Sequence, residues 1–276
     1  MLEIKEPLVS VEWLHANMDS PNLVILDASI KKVTDVASEV SDEWIPSSRF
    51  FDLKQKFSDL SGEFPSTFPS EGQFTKEAQN IGINNDSLIV IYDDKGIYSS
   101  PRAWWLFKVF GHENVAILDG GLPAWKKAGF EFIIRQNELI TPGNFKAKFQ
   151  KYGICFFDDI IELAKKDSNK LILDARSEAR FKGLVSEPRK GLRRGTIPNS
   201  KNLPFELLLD RGKMKSKHDL KAIFSNFGSK ETPLVFSCGS GITACILALG
   251  ATLSGYEDVT VYDGSWTEYG SLMKHE

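Results

Sequence analysis

Short, continuous apolar runs alternate along this chain with longer stretches of helical period. Leu88-Ile89-Val90-Ile91-Tyr92 and Pro233-Leu234-Val235-Phe236 have the length and β-branched content of strands buried on both faces. Pro101 to Phe110 and about Thr243 to Leu253 read as helices. This alternation predicts an α/β fold, a mostly parallel sheet with helices on both faces, in which ligands bind beyond the carboxyl ends of the strands.

The pattern occurs twice. Leu23-Val24-Ile25-Leu26-Asp27-Ala28 matches Leu171-Ile172-Leu173-Asp174-Ala175, an offset of 147 residues between the aspartates. Val115-Ala116-Ile117-Leu118-Asp119-Gly120 matches Val259-Thr260-Val261-Tyr262-Asp263-Gly264 at an offset of 144, and Ile45-Pro46 matches Ile197-Pro198 at 152. Two copies of one domain follow, expected at 1–135 and 153–276. The stretch 136–152, with Thr141-Pro142-Gly143-Asn144 and mixed charge, reads as the connection between them.

Composition narrows the class. The chain has 276 residues, enough for two cores, and a net charge of −3 from 34 basic and 37 acidic residues. That balance makes no electrostatic case for nucleic acid or an anionic membrane. The N-terminal residues lack a secretory pattern and no apolar run reaches membrane-spanning length, so a cytoplasmic protein is expected. Cys155, Cys238 and Cys245 are odd in number, and the four histidines are scattered, so neither a metal nor a cofactor is expected.

Chemistry concentrates at Val235-Phe236-Ser237-Cys238-Gly239-Ser240-Gly241-Ile242-Thr243-Ala244, where a cysteine closes a strand and a glycine-bearing turn opens a helix. A short loop curling around one sulfur points backbone N–H groups at it, and the helix adds its positive end. Both favour thiolate, the nucleophilic form. The competing reading is a small buried cysteine; Gly239 and Gly241 favour the nucleophile, since they permit close approach to the backbone. Aligning Gly241 with Gly96 puts Asp93 opposite Cys238, so the first copy keeps the loop but lacks the sulfur. Cys245 and Cys155 read as packing residues.

Ser100-Pro101-Arg102-Ala103-Trp104-Trp105, Leu118-Asp119-Gly120-Gly121-Leu122-Pro123-Ala124-Trp125, Glu187-Pro188-Arg189, Arg194-Gly195-Thr196-Ile197-Pro198 and Tyr262-Asp263-Gly264-Ser265-Trp266 join the Cys238 loop in a set of motifs. In this order they resemble the two-domain rhodanese-type sulfurtransferases, most closely the 3-mercaptopyruvate sulfurtransferases, over nearly the whole chain. The resemblance implies a silent first domain and a catalytic second one. It implies sulfur transfer from 3-mercaptopyruvate through a persulfide on Cys238 to a thiol or cyanide, with thiosulfate as the alternative donor. A dithiol or a thioredoxin-like protein is the implied type of thiol acceptor. Arg180 and Arg189 fall where the family grips the donor's carboxylate and ketone, and Ser240 where a hydroxyl assists. The loop amides from Gly239 through Ser240, Gly241 and Ile242 to Thr243 would hold the cysteine and persulfide anions; Thr243 and Ser240 also read as a helix cap and a turn former. Salt bridges to Glu178 or Glu187 are the competing roles for the arginines, and Arg176 is expected to pair near Asp174.

One departure concerns protons. Animal members carry an Asp and a His in the first domain where this chain has Lys54 and about Thr67. A cysteine phosphatase fails because position 244 is Ala rather than Arg, and a serine hydrolase fails because Cys238 stands where a glycine is needed. A non-enzymatic sulfur-carrier or interaction module is the rival of another class, opposed by the retained cysteine, arginines and glycines.

Overall fold

Leu88–Tyr92 is buried at all five positions, which only a central strand covered on both faces allows. It belongs to a computed structural model that describes residues 3–33, 39–136, 139–165 and 168–273. The expected connection at 136–152 therefore includes two residues, 137–138, that lie outside the described ones.

The chain divides into two compact units, one of Met1–Asp59, Phe68–Gln150 and Arg211–Lys213, the other of Leu60–Thr67, Lys151–Asp210 and Met214–Glu276. The first half of the chain runs β1 (Leu8–Val9), α1 (Val11–Asn17), β2 (Leu23–Asp27), β3 (Glu43–Trp44), β4 (Ser48–Phe50), α2 (Glu71–Asn80), β5 (Leu88–Tyr92), α3 (Ser100–Val109), β6 (Val115–Leu118), α4 (Gly121–Lys127) and β7 (Ile133–Ile134). Its main sheet has the order β1-β6-β5-β2-β4, with every ladder parallel. Ser10 and Ser70 start α1 and α2 by accepting the N–H groups of Trp13 and Gln73, each at 3.1 Å.

The second half runs β8 (Ile154–Cys155), α5 (Phe157–Leu163), β9 (Leu171–Asp174), α6 (Glu178–Phe181), β10 (Lys201–Asn202), β11 (Leu209–Asp210), β12 (Lys213–Met214), α7 (Lys217–Phe224), β13 (Leu234–Ser237), α8 (Ala244–Ser254), β14 (Val259–Tyr262) and α9 (Ser265–Leu272). Its sheet repeats the plan as β10-β9-β13-β14-β8, again wholly parallel. Helix α8 is apolar nearly all round and buries Leu247 and Leu249 completely, each adding about 1.5–3 kcal/mol. Gly255, at φ +90°, ends it in the left-handed conformation. No helix among the described residues is long and apolar enough to cross a membrane.

Residues 139–150 have no regular structure but are anchored within the first unit. Phe145 is buried and its N–H donates to the Ile83 carbonyl, while the N–H groups of Gly143, Lys148 and Gln150 donate to Gln79, Phe110 and Val109. The Trp104-Trp105 pair is buried, with Trp105 packed edge-on against Phe68 and under the Arg102 guanidinium.

The repeated aspartates at the ends of β2 and β9 have different partners. Asp174 is gripped by the Arg176 guanidinium, whereas Asp27 receives the N–H and hydroxyl of Ser29. Burial raises the Asp27 pKa to about 6, against the pull of the Ser29 hydrogen bonds. A carboxyl whose folded pKa exceeds its unfolded one stabilises the fold below the unfolded value. That contribution is lost as pH rises through about 6. We predict that wild type loses about 2 kcal/mol between pH 4 and 7.5 from this group, and that Asp27→Asn removes that loss. Urea unfolding at the two pH values checks it; identical pH dependence in the two proteins would refute it.

Candidate active site

Strand β13 delivers the chain to Cys238 at its carboxyl end, and the turn Gly239 to Thr243 leads into α8. Cys238 is only 2% exposed. Gly241, at φ +75°, makes the reversal that an L side chain resists.

The loop is tied down from α9. The N–H groups of Trp266 and Thr267 donate to the carbonyls of Cys238 and Gly239, each at 3.0 Å, and the Thr267 hydroxyl donates to Gly239 as well. With those carbonyls held on one side, N–H groups of the loop turn to the other. Those of Gly239, Ser240, Ile242 and Thr243 meet no carbonyl or side-chain acceptor among the described residues. They are available to an anion seated on the loop.

Not every amide expected there faces the sulfur. The N–H groups of Cys238 and Gly241 instead donate to the Ser265 hydroxyl oxygen, each at 3.1 Å. Its proton has two acceptors, the Tyr262 carbonyl at 3.0 Å and Cys238 Sγ at 3.9 Å. Ser265 reaches them from a left-handed backbone, φ +50°. Sequence reasoning missed this residue, although its counterpart at the same turn of the first copy is Gly121, at φ +52°. The glycine-to-serine exchange was the available signal.

The first copy shows what such a loop collects. Asp93 is fully buried, and its Oδ2 accepts the N–H groups of Tyr98, Ser99 and Ser100 at 2.8, 3.0 and 2.9 Å and the Ser100 hydroxyl at 2.7 Å. Its Oδ1 accepts the N–H of Lys95. A carboxylate thus occupies the focus of the turn whose counterpart in the second copy begins at Cys238. Cys245, which aligns with Ser100, is buried in α8 and directs its Sγ to the Gly241 carbonyl at 3.2 Å. Cys155 is buried in β8, where desolvation pushes its thiol pKa up.

Both expected arginines reach the loop. Arg189 Nη2 donates to Ser240 Oγ at 3.0 Å, and because a guanidinium only donates, the serine keeps its own proton to give. A Cβ built on Gly239 would stand 3.0 Å from Arg180 Nη2 and 3.8 Å from Arg189 Nη1. Gly239 therefore makes room for the two guanidiniums. Arg180 also carries the salt bridge weighed against its site role: its Nε and Nη2 donate to Glu187. Glu187 holds Arg176 at 2.8 Å as well, and Arg176 pairs with Asp174 and lies 4.8 Å from the Trp266 ring. Arg193 donates to the carbonyls of Gly270 and Met273, and Arg194 to Ser186.

Thr243 stands at the N-cap of α8, but its side chain makes no capping hydrogen bond. Ile242 is buried, at 8% exposed. Thr67, at one of the positions without a relay group, gives its hydroxyl to the Phe64 carbonyl at 2.6 Å. Among the described residues no cluster of three or more His, Cys, Asp or Glu side chains is placed to hold a metal.

Two parallel-sheet domains, one with a cysteine at the start of its strand-to-helix loop and one with an aspartate there, define a tandem α/β architecture. A family model described as "Rhodanese-like domain" matches residues 10–128 and 158–272, and the chain belongs to that family, among its two-domain sulfurtransferases. It is 35% identical to the 3-mercaptopyruvate sulfurtransferase of Escherichia coli strain K12, over 95% of this chain and 94% of that one. With the mitochondrial thiosulfate/3-mercaptopyruvate sulfurtransferase 1 of Arabidopsis thaliana the identity is 39%, over 96% and 76%. The crystal structure of a 3-mercaptopyruvate sulfotransferase from Escherichia coli superposes with a TM-score of 0.84 at 33% identity, covering 95% of this chain and 99% of that one.

The Ser265 hydroxyl satisfies two loop amides from a strained backbone, and the two effects separate by mutation. Ser265→Ala keeps the strain and strands both amides, costing about 1–3 kcal/mol. Ser265→Gly loses the same bonds but recovers about 0.4–1 kcal/mol of conformational cost. Denaturant unfolding should rank wild type above the glycine variant and that above the alanine variant. Wild-type stability in Ser265→Ala would show that the hydroxyl does not hold the loop.

Proposed function

We propose that this chain moves sulfur from 3-mercaptopyruvate, through a persulfide on Cys238, to a thiol or cyanide acceptor, and releases pyruvate. The observation that carries the reading is the pair of matched loops. One copy gathers N–H groups on the Asp93 carboxylate, and the other has Cys238 at that position, with Arg180 and Arg189 against the adjoining Gly239. The names of the relatives point to the same donor, with thiosulfate as the alternative.

In the first step the Cys238 thiolate attacks the donor's thiol sulfur. The S–S bond forms as the donor's C–S bond breaks, and the electron pair leaves on carbon as the enolate of pyruvate. The proton originally on the donor thiol balances the enolate, which becomes pyruvate, and the persulfide is left as an anion. Arg180 and Arg189 hold the donor's carboxylate and ketone oxygens through paired hydrogen bonds. Ser240, whose oxygen already accepts from Arg189, gives its proton in a hydrogen bond to the developing enolate oxygen. The N–H groups of Gly239, Ser240, Ile242 and Thr243 stabilise the cysteine and persulfide anions, and Gly241 makes the turn that aims them.

In the second step an acceptor thiolate attacks the outer sulfur and the Cys238 thiolate departs. A small dithiol or a thioredoxin-like protein fits as acceptor, since each resolves the transferred sulfur with a second thiol. All three cysteines are free, and we place the reaction in a reducing cytoplasm. The Arabidopsis relative is named as mitochondrial.

Incubation with 3-mercaptopyruvate followed by intact-mass measurement tests the scheme. Wild type should gain the mass of one sulfur atom and Cys238→Ala none. No gain on wild type, or a gain that persists in the variant, would refute it. Arg189→Ala should raise KM for 3-mercaptopyruvate about 10–100-fold, the worth of one charged hydrogen bond, while Cys238 stays reactive toward iodoacetamide. Loss of that alkylation would instead make Arg189 a support of the thiolate.

A further inference from the structure

Glu187 holds a charge that the sulfur chemistry does not use. Its side chain is fully buried, with one oxygen on Arg176 Nη1 and its carboxylate also bound to Arg180 Nε and Nη2. Arg176 does not depend on it for neutrality. Asp174 takes Arg176 Nε and Nη2, with the Gly195 carbonyl on Nη2 as well, so Asp174 and Arg176 already form a neutral pair. The negative charge of Glu187 therefore balances Arg180.

Arg180 faces two ways. Its Nε–Nη2 edge is occupied by Glu187, and the same Nη2 lies against Gly239 of the Cys238 loop, so Nη1 remains to meet a donor. Hydrogen-bonding capacity stays at that position while its charge is cancelled from behind. A donor with one negative charge and a neutral carbonyl oxygen suits such a guanidinium. A dianion must place its second charge near a buried carboxylate, where repulsion is poorly screened.

We propose that Glu187 is a specificity-determining positioning residue, which biases the Cys238 site toward monoanionic sulfur donors by neutralising Arg180 and fixing its orientation. This rests on the assignment of Arg180 to the donor made above. It accounts for a preference for 3-mercaptopyruvate, a monoanion, over thiosulfate, a dianion, through a residue outside the Cys238 loop. Glu187→Gln keeps the size and the oxygen acceptor but exposes one more positive charge to the donor. Glu187→Asp keeps the charge while shortening the reach.

The test measures kcat/KM for 3-mercaptopyruvate and for thiosulfate, with cyanide as acceptor at constant ionic strength, in wild type and both variants. The ratio of thiosulfate to 3-mercaptopyruvate should rise about tenfold in Glu187→Gln. In Glu187→Asp it should stay within about twofold of wild type even where both constants fall. Equal loss with both donors in Glu187→Gln, or the same ratio change in both variants, would mean that Glu187 only supports the fold and would overturn the proposal.

A second measurement needs neither a folded variant nor turnover. Methanesulfonate and sulfate are close in size but carry one and two charges, and on wild type methanesulfonate should protect Cys238 from iodoacetamide the better. Sulfate protecting equally or more strongly, or protection by neither, overturns the proposal. Failure of the sulfur-transfer reading would show separately, as the absence of persulfide on wild type with either donor.

Discussion

Convergence of backbone N–H groups on one atom is the constraint on which the second domain's site depends. Such groups are obligatory donors, and a turn that aims several inward is stable only if something anionic or polar occupies the focus. In the first domain Asp93 fills that place and is satisfied by four amides and a hydroxyl. In the second the corresponding residue is Cys238, and α9 holds the loop carbonyls by binding two of them. Ser265 accepts two of the loop amides. A small neutral group at position 238 would leave the other amides without an acceptor, whereas an anionic sulfur, with or without a second sulfur attached, supplies one.

The two copies show how a fold is kept while its chemistry changes. Strand order, parallel pairing and the left-handed glycines of the loop, Gly96 and Gly241, are shared. The differences fall at particular contacts. Asp93 corresponds to Cys238, Ser29 to Arg176 and Gly121 to Ser265. In the second copy these exchanges introduce a cysteine, a buried guanidinium that pairs with Asp174 and Glu187, and a hydroxyl that braces the loop. In the first copy the corresponding aspartate, Asp27, has no arginine two residues on, and burial raises its pKa. Cys238 and a charged network thus lie together at one end of one sheet.

Much of this was legible in the residues. Runs such as Leu88–Tyr92 announce buried parallel strands, and helices α3 and α8 begin and end within about one residue of where their apolar stretches place them. The self-match of the chain set Asp93 opposite Cys238. Three things were not legible. That the amides of Cys238 and Gly241 bind Ser265 depends on the approach of α9, a contact across 27 residues of sequence for Cys238. The sequence offers Glu187 as a partner for the arginines and Asp174 as one for Arg176, but the bridge from Arg176 through Glu187 to Arg180 that joins these pairs into one buried network depends on the fold. The anchoring of residues 139–150 to the first unit depends on Phe145 and on scattered backbone bonds that no periodicity signals.

The central claim is that the Cys238 loop is built to hold an anionic sulfur at the focus of its amides. A crystal structure of the chain after reaction with 3-mercaptopyruvate, in the absence of an acceptor, tests it most directly. The account predicts an additional sulfur on Cys238 Sγ, with N–H groups from the stretch Gly239 to Thr243 within about 3.5 Å of it. An unmodified Cys238 after complete reaction, or a persulfide turned away from those amides, would contradict it.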